Sequence, residues 1–264
     1  MLSNREKVII TLTTISSRIN NIDQVLETLL KQDYINYEIR LYISREAYLL
    51  DKGIDDVPSK YLNDERLKII YVENTGPYRK LMPALKEFFG TNQILITVDD
   101  DVLYPQNFIS TLILANQIYD CPIAYRGRKI TISETKINPY KQWEKNNLTG
   151  CSFSHLPTGK DGVLYRPSYF HKNVLDISQA IEIAPTTDDL WFKWHTVLNN
   201  KKSVLLFNTL SESFDITEET NETLFDSFNK HTNNDQIVES LEKNLNNKFQ
   251  FNLFQKLNNI LEKD

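Results

Sequence analysis

The chain is expected to fold as an α/β domain: a mostly parallel sheet flanked by helices, with a helical tail at the C-terminal end. Three observations predict this. Short apolar runs of strand length recur from residue 7 to residue 207. Stretches with apolar residues at helical spacing separate the first of them. The resulting order, strand then helix then strand, is that of a sheet built from βα units. No internal repeat and no linker composition divides the chain, so residues 1–214 are assigned to the α/β domain and 215–264 to the extension.

In order, "KVIITL" (7–12) reads as a buried strand, followed by the polar turn "TTISSRINN". Ile22, Val25, Leu26, Leu29 and Leu30 then fall at helical spacing, with Asn20 or Asn21 as the expected cap. "EIRLYIS" (38–44) and "LKIIYVE" (67–73) are the next strands. Leu81, Leu85 and Phe88 share a helix face that Gly90 ends. "QILITV" (93–98) is a strand, and Pro105 is expected to open a helix carrying Phe108, Leu112, Ala115 and Tyr119. Residues 121–187 are less regular, with "YRGRKI" and "GVLYRP" as candidate strands. "DDLWFKWHTVLNN" is a helix and "KKSVLLF" (201–207) a strand. The tail has helical spacing at Ile237, Leu241 and Leu245, then "FQFNLFQKLNNILEKD".

Composition narrows the function. Across 264 residues, 41% hydrophobic and 25% charged describe an ordinary globular protein. A net charge of -5 with scattered basic residues argues against a nucleic-acid surface. No stretch approaches the ~20 apolar residues of a membrane span, and no signal peptide is read, so a cytoplasmic setting is expected. Cys121 and Cys151 are expected to be reduced structural thiols.

"ILITVDDDVLYP" (94–105) is the most informative stretch. Three carboxylates repel one another, and a strand end that bears them calls for a counter-charge. Carboxylates are hard ligands suited to Mg²⁺ or Mn²⁺, which fills its remaining positions with water and phosphate oxygens. In a βα sheet this turn lies at a carboxyl end, where ligands bind. A P-loop partner is missing: at Gly159–Lys160 the pattern GxxxxGK[ST] meets Ser154 and Asp161 where it needs Gly and a hydroxyl. No GxGxxG is present either.

An apolar strand ending in DxD resembles GT-A-type (Rossmann-like) glycosyltransferases, particularly family 2-like enzymes of surface polysaccharide synthesis. "VIITLTTISSRINNIDQVLETLLKQ", "NTGPYRKLMPAL" and "TTDDLWFKW" agree in order, so the resemblance spans residues 7 to 207. It implies a nucleotide-diphosphate-sugar donor, UDP favoured, a divalent metal and an acceptor hydroxyl on a glycan or lipid-linked glycan. Asp99 would meet the donor ribose or sugar and share the metal with Asp101, while Asp100 would contact the donor sugar. Thr11, Thr13 and Arg18 would line the nucleotide pocket. Lys80 would pair with phosphate or sit near the base; otherwise it and Arg79 are solvated side chains on a first helical turn. A late histidine, His231, is a further candidate for the metal or diphosphate; His155, His171 and His195 show no zinc spacing and read as structural.

Inverting transfer needs a base for the acceptor proton. The resemblance places it at the start of the second acidic helix, where Asp189 is preferred and Asp188 is the alternative. Against this, Thr186-x-x-Asp189 is also a capping-box pattern. An acid in a first turn gains about 0.3–1 kcal/mol from the helix dipole, which lowers its pKa. Asp161, in the Gly-flanked loop 155–167, would bind donor or acceptor hydroxyls or else is a turn acid. Trp191 and Trp194 are expected in the core. The expected activity is inverting sugar transfer. The rivals are a nucleotidyl- or phosphotransferase using the same acids and an inactive sugar-nucleotide-binding module. Peripheral membrane contact follows only from a lipid-linked acceptor, and the oligomeric state is open.

Overall fold

The structure, a computed structural model, describes residues 6–62, 64–145, 150–207, 214–217, 225–229 and 233–261. Its first half contains β1 (Val8–Thr13), α1 (Asp23–Leu30), β2 (Tyr37–Ile43), β3 (Leu67–Tyr71), α2 (Met82–Glu87), β4 (Ile94–Thr97) and α3 (Phe108–Tyr119). Then follow β5 (Ile123–Ala124), β6 (Gly127–Lys129), β7 (Cys151–Ser152), β8 (His155–Pro157), β9 (Val163–Tyr165), α4 (Ile177–Ile183), α5 (Asp188–Leu198) and β10 (Ser203–Leu205). The tail forms α6 (Asn233–Phe249) and α7 (Leu253–Leu261).

Eight strands form one sheet in the order β3-β2-β1-β4-β9-β5-β10-β7, and β6 pairs with β8 beside it. β3, β2, β1 and β4 are mutually parallel, as are β5 and β10; β9 and β7 run antiparallel to their neighbours. The chain leaves β1 for β2 on one side, then returns past it to β4 on the other. That reversal makes the carboxyl ends of β1 and β4 a topological switch point, where the loops part and leave a crevice.

Period-2 alternation sends β1 side chains to two cores. Val8, Ile10 and Leu12 pack with Val25, Leu26 and Leu29 of α1 and with Phe108 and Leu112 of α3. Ile9 faces the other layer, with Leu81, Met82 and Leu85, Trp191 and Trp194 of α5, and Ile237, Leu241 and Leu245 of α6. Both tryptophans are fully buried core residues, as expected, with their indole N–H groups donating to the Val174 carbonyl and the Glu242 carboxylate.

Three local expectations are corrected. The N-cap of α1 is Ile22, without a side-chain cap, rather than Asn20 or Asn21. Pro105 does not open α3, whose N-cap is Asn107. The Pro105 carbonyl instead accepts from Phe108 N–H and Gln32 Nε2, closing a turn ahead of the helix. On α3, Tyr119 is 44% exposed, outside the buried face that Phe108, Leu112 and Ala115 share.

Candidate active site

A cavity of about 570 Å³ opens at the switch point, within the range of small-molecule sites. Its first wall comes from the parallel half of the sheet. Thr13 ends β1 and Thr14 follows it, Tyr48 to Asp51 follow β2, Gly76, Pro77, Arg79 and Lys80 follow β3, and Asp99 to Asp101 follow β4. The second wall comes from Arg126, Gly127 and Arg128, from Tyr140, and from Thr158, Gly159 and Lys160. The first turn of α5 adds Asp188 and Asp189, and the tail adds Asn229 and Asn234.

The three adjacent acids have three different environments. Asp99 is paired with the Lys80 ammonium at 2.5 Å, and its backbone N–H donates to Tyr104 Oη. Asp100 accepts from Thr14 Oγ1 at 2.6 Å and from Arg18 Nη1 at 2.8 Å. Asp101 lies 3.6 Å from Arg18, and its side chain is 38% exposed. Burial and the adjacent Asp99 and Asp100 push its carboxyl up to about 6. A divalent cation would relieve that repulsion. The turn is braced from behind, where Thr217 N–H donates to the Asp101 carbonyl and Leu103 N–H to the Asp215 carbonyl.

Among the described residues, no cluster of three or more His, Cys, Asp or Glu side chains forms a metal cage. A hard cation that keeps substrate and water ligands needs only one or two carboxylates. Asp101, with Asp99 beside it, fits that requirement. His231 lies outside the described residues.

Lys80 joins the two acidic groups. It ends the short turn Gly76–Lys80 and is 12% exposed, and its charge faces Asp99, Asp188 and Asp189 together. Burial disfavours the ammonium, but the three carboxylates outweigh that penalty and hold its pKa above the ordinary lysine value. Gly159 makes room for it: a Cβ there would stand 2.6 Å from Lys80 Nζ. The neighbouring Arg79 is not solvated either. It is 2% exposed and forms a 2.8 Å ion pair with Asp51, whose Oδ1 also accepts from Ser16 and Gly53 N–H. This buried clamp ties the loops after β1 and β2 to the turn after β3.

The second acidic pair decides between cap and cleft. The N-cap of α5 is Thr187 and it makes no side-chain cap bond. Asp189 points across the cavity, where Oδ2 accepts from the Gly159 N–H at 3.2 Å. Its pKa is therefore not lowered, as a first-turn position suggests. Burial, with Asp188 adjacent, pushes it up to about 8. Desolvation also raises Asp188, which is 8% exposed, while Lys80 opposes the rise.

Thr13, Arg18, Lys80, Asp99, Asp100, Asp101, Asp188 and Asp189 thus meet in one cavity. Thr11 and Asp161 do not line it. Thr11 is fully buried within β1, paired in register with Thr97 of β4, and its hydroxyl has no partner. Asp161 is fully buried at a backbone φ of 70° and sits 3.9 Å from Arg126. The sequence reading missed Thr14, Arg126, Arg128 and Tyr140, and the link by which Thr186 Oγ1 donates to Asn229 Oδ1 and Thr187 Oγ1 to Asn234 Oδ1. The run of polar residues after "KVIITL" pointed to Thr14. Nothing local marked Tyr140 or the two asparagines.

With this geometry established, the chain can be compared with known proteins. No family model and no curated protein matches it. Solved structures do. S. aureus TarS 1-349 in complex with UDP-GlcNAc aligns with a TM-score of 0.50 at 16% identity, over 93% of this chain and 73% of that one. The same fragment in complex with UDP aligns with a TM-score of 0.50 at 17% identity, over 93% and 72%. The chain has the GT-A fold. A further TarS 1-349 structure aligns with a TM-score of 0.48 at 18% identity, and there the chain spans 59% of the neighbour's length. At such identities the likeness carries the fold; the chemistry rests on the side chains described above.

Proposed function

We propose that the protein is a metal-dependent glycosyltransferase that moves a sugar from a nucleotide-diphosphate donor, UDP-sugar favoured, to an acceptor hydroxyl with inversion. One observation carries the reading: Asp99–Asp101 and Asp188–Asp189, 87 residues apart by number, face one cavity across the Lys80 ammonium. The fold neighbour crystallised with UDP and UDP-GlcNAc supports the donor class.

In this reading Thr13, Thr14 and the Tyr48–Asp51 loop hold the nucleoside end, and Arg18 holds Asp100 in place. Asp101 and Asp99 hold the cation, which when bound offsets charge building on the leaving diphosphate. Asp189 takes the acceptor proton. A carboxylate whose pKa is raised is suited to this, because once deprotonated it is a stronger base than an ordinary aspartate. The Gly159 N–H fixes its orientation, and Lys80 stabilises its anionic form. The glycan or lipid-linked nature of the acceptor, a cytoplasmic setting and peripheral membrane contact belong to the same proposal. Among the described residues, no helix is long and apolar enough to cross a membrane.

The test is a nucleotide-sugar screen with Mn²⁺, reading thermal shift and released nucleotide. The expected result is stabilisation by one UDP-sugar and release of UDP with a glycosylated acceptor. Pyrophosphate release identifies a nucleotidyltransferase instead. Metal-dependent binding without turnover on any acceptor identifies a binding module.

A further inference from the structure

The chain has two cysteines, 30 residues apart, and neither lines the acidic cavity. The fold brings them together at the far edge of the sheet. Cys121 lies two residues before Ile123 of β5, and Cys151 opens β7. Across β10, Val204 pairs with both Ile123 and Cys151. The two Sγ atoms stand 3.5 Å apart as free thiols. Cys121 is 2% exposed, whereas Cys151 is partly exposed.

The third member of the cluster is a lysine in the interior. Lys193, at the centre of α5, is 2% exposed, and its ammonium donates to Ser203 Oγ at 3.2 Å. Ser203 pairs in register with Ser152, the neighbour of Cys151, so this bond carries the ammonium to the strand pair that bears the thiol. The two cysteines raise its proton affinity against the effect of burial. Among the described residues no carboxylate forms an ion pair with Lys193, and a thiolate would supply the missing charge. Burial lowers Lys193 to about 7, and only a nearby anion counters this. The Cys121 hydrogen bond pulls Cys151 down to about 7, assisted by Lys202, Lys193 and Lys201. Cys121 is held as a thiol by its bond to Cys151 and by burial. An accessible thiol in an electropositive site, with a buried thiol in reach, is the arrangement of attacking and resolving cysteines.

We propose that Cys151 and Cys121 form a reversible redox site, in which Cys151 reacts with a peroxide and Cys121 resolves it to an intramolecular disulfide, with Lys193 as the counter-ion. The Cys151 thiolate attacks hydrogen peroxide, giving a sulfenic acid and hydroxide. The Cys121 sulfur then attacks that sulfur. An S–S bond forms, and the sulfenic oxygen leaves as water with the Cys121 proton. Two thiols lose two electrons, and one peroxide becomes two waters. The sulfurs close from 3.5 Å to about 2.05 Å. The bridge would join the segment entering β5 to β7, past the start of β10. β5 runs on to Arg126 in the cavity wall, and Lys193 shares α5 with Asp188 and Asp189.

Intact-mass measurement of the full chain after hydrogen peroxide tests this. The expected result is a monomer lighter by two hydrogens, without free thiols, restored by dithiothreitol. With two cysteines only one intramolecular pairing exists. Cys151→Ser and Cys121→Ser should each abolish the loss of mass. Lys193→Met should slow alkylation of native Cys151 by iodoacetamide several-fold near neutral pH, with no effect on the unfolded chain. Retention of both thiols, oxygen addition at Cys151 without a bridge, or bridges only between molecules would overturn the proposal. Unchanged alkylation in Lys193→Met would remove the lysine from it.

Discussion

The two halves of the sheet do different work. In the parallel half, β1 to β4 are four to seven residues long and their register is continuous, so their carboxyl ends form a fixed rim. In the other half, β5, β7, β9 and β10 are two or three residues long, and two of them run antiparallel to their neighbours. The first half presents acids already matched to cations: Asp99 to Lys80, Asp100 to Arg18, Asp51 to Arg79. Across the cavity from it, the first turn of α5, which leads into β10, presents Asp189, whose proton affinity is raised because burial outweighs the help it receives. The difference separates holding from reacting. Acids locked in ion pairs hold position, whereas a buried acid with a raised pKa is the one able to exchange a proton.

The comparison breaks most visibly at Asp189. Asp189→Asn keeps the shape and the Gly159 contact but removes the base, so turnover should fall about 10²–10⁴-fold, while the donor-induced thermal shift survives. In the unmutated protein kcat/KM should rise with pH towards a plateau, with its midpoint near 8, because the deprotonated form is the active one. If the Asn variant keeps its turnover, the reacting role lies elsewhere, with Asp188 next in line. The holding half has its own test. Arg79→Met leaves the Asp51 carboxylate uncompensated in the interior and should cost about 3–5 kcal/mol in denaturant unfolding. A loss under 1 kcal/mol would mean that Asp51 is satisfied by its backbone donors alone.

These contrasts also explain what the sequence revealed. The parallel half was legible because its strands are apolar runs of four to seven residues, and those of β1 and β4 stand next to helices of clear period, α1 and α3. Asp99 to Asp101 were legible because an apolar strand rarely ends in three acids by chance. The antiparallel half was not, since two-residue strands such as β5 leave no period to detect. Asp189 was ambiguous because Thr186 three residues earlier writes a capping box, and only geometry shows its carboxyl reaching Gly159. Thr11 and Asp161 were misplaced for the same reason. The sequence gives neither the depth of a side chain along a strand nor the side of a turn to which it points. Asn229 and Asn234 come from a tail whose local pattern reads only as helix.

A sharper comparison comes from the metal end. Asp101→Ala should lower turnover about 10²-fold and abolish the Mn²⁺ dependence of the donor-induced thermal shift. If both signals persist, the cation is held by other groups. Gly159→Ala should do less. Its Cβ meets the end of a flexible side chain, Lys80 Nζ at 2.6 Å, so the chain folds and Lys80 moves aside. That loosens Asp99 and Asp189 together, and turnover should fall about tenfold, roughly 1.4 kcal/mol in the barrier. Retention of full activity would show that the close approach of Lys80 to the Gly159 backbone is dispensable.

The smallest effect is expected at the amino end of β2, opposite the cavity rim, where holding is purely structural. Glu38 on β2 is enclosed by Lys7 at 2.7 Å, Arg40 at 2.6 Å and Lys68 at 2.8 Å, and its side chain is 6% exposed. Burial alone would raise its pKa, but the bonds from Lys68, Lys7 and Arg40 prevail and hold it at about 2, against an ordinary 4.5. The sign follows from linkage: a carboxylate depressed in the folded state stabilises the fold above its unfolded pKa. That contribution is lost as pH falls through the folded value. Lys7 and Lys68 are half exposed, so screening reduces the gain to about 1–2 kcal/mol. Stability should therefore decline between pH 4.5 and about 2. Glu38→Gln should flatten that part of the profile and lower stability at neutral pH by the same amount. If its acid profile overlays that of the unmodified chain, other carboxylates govern acid unfolding.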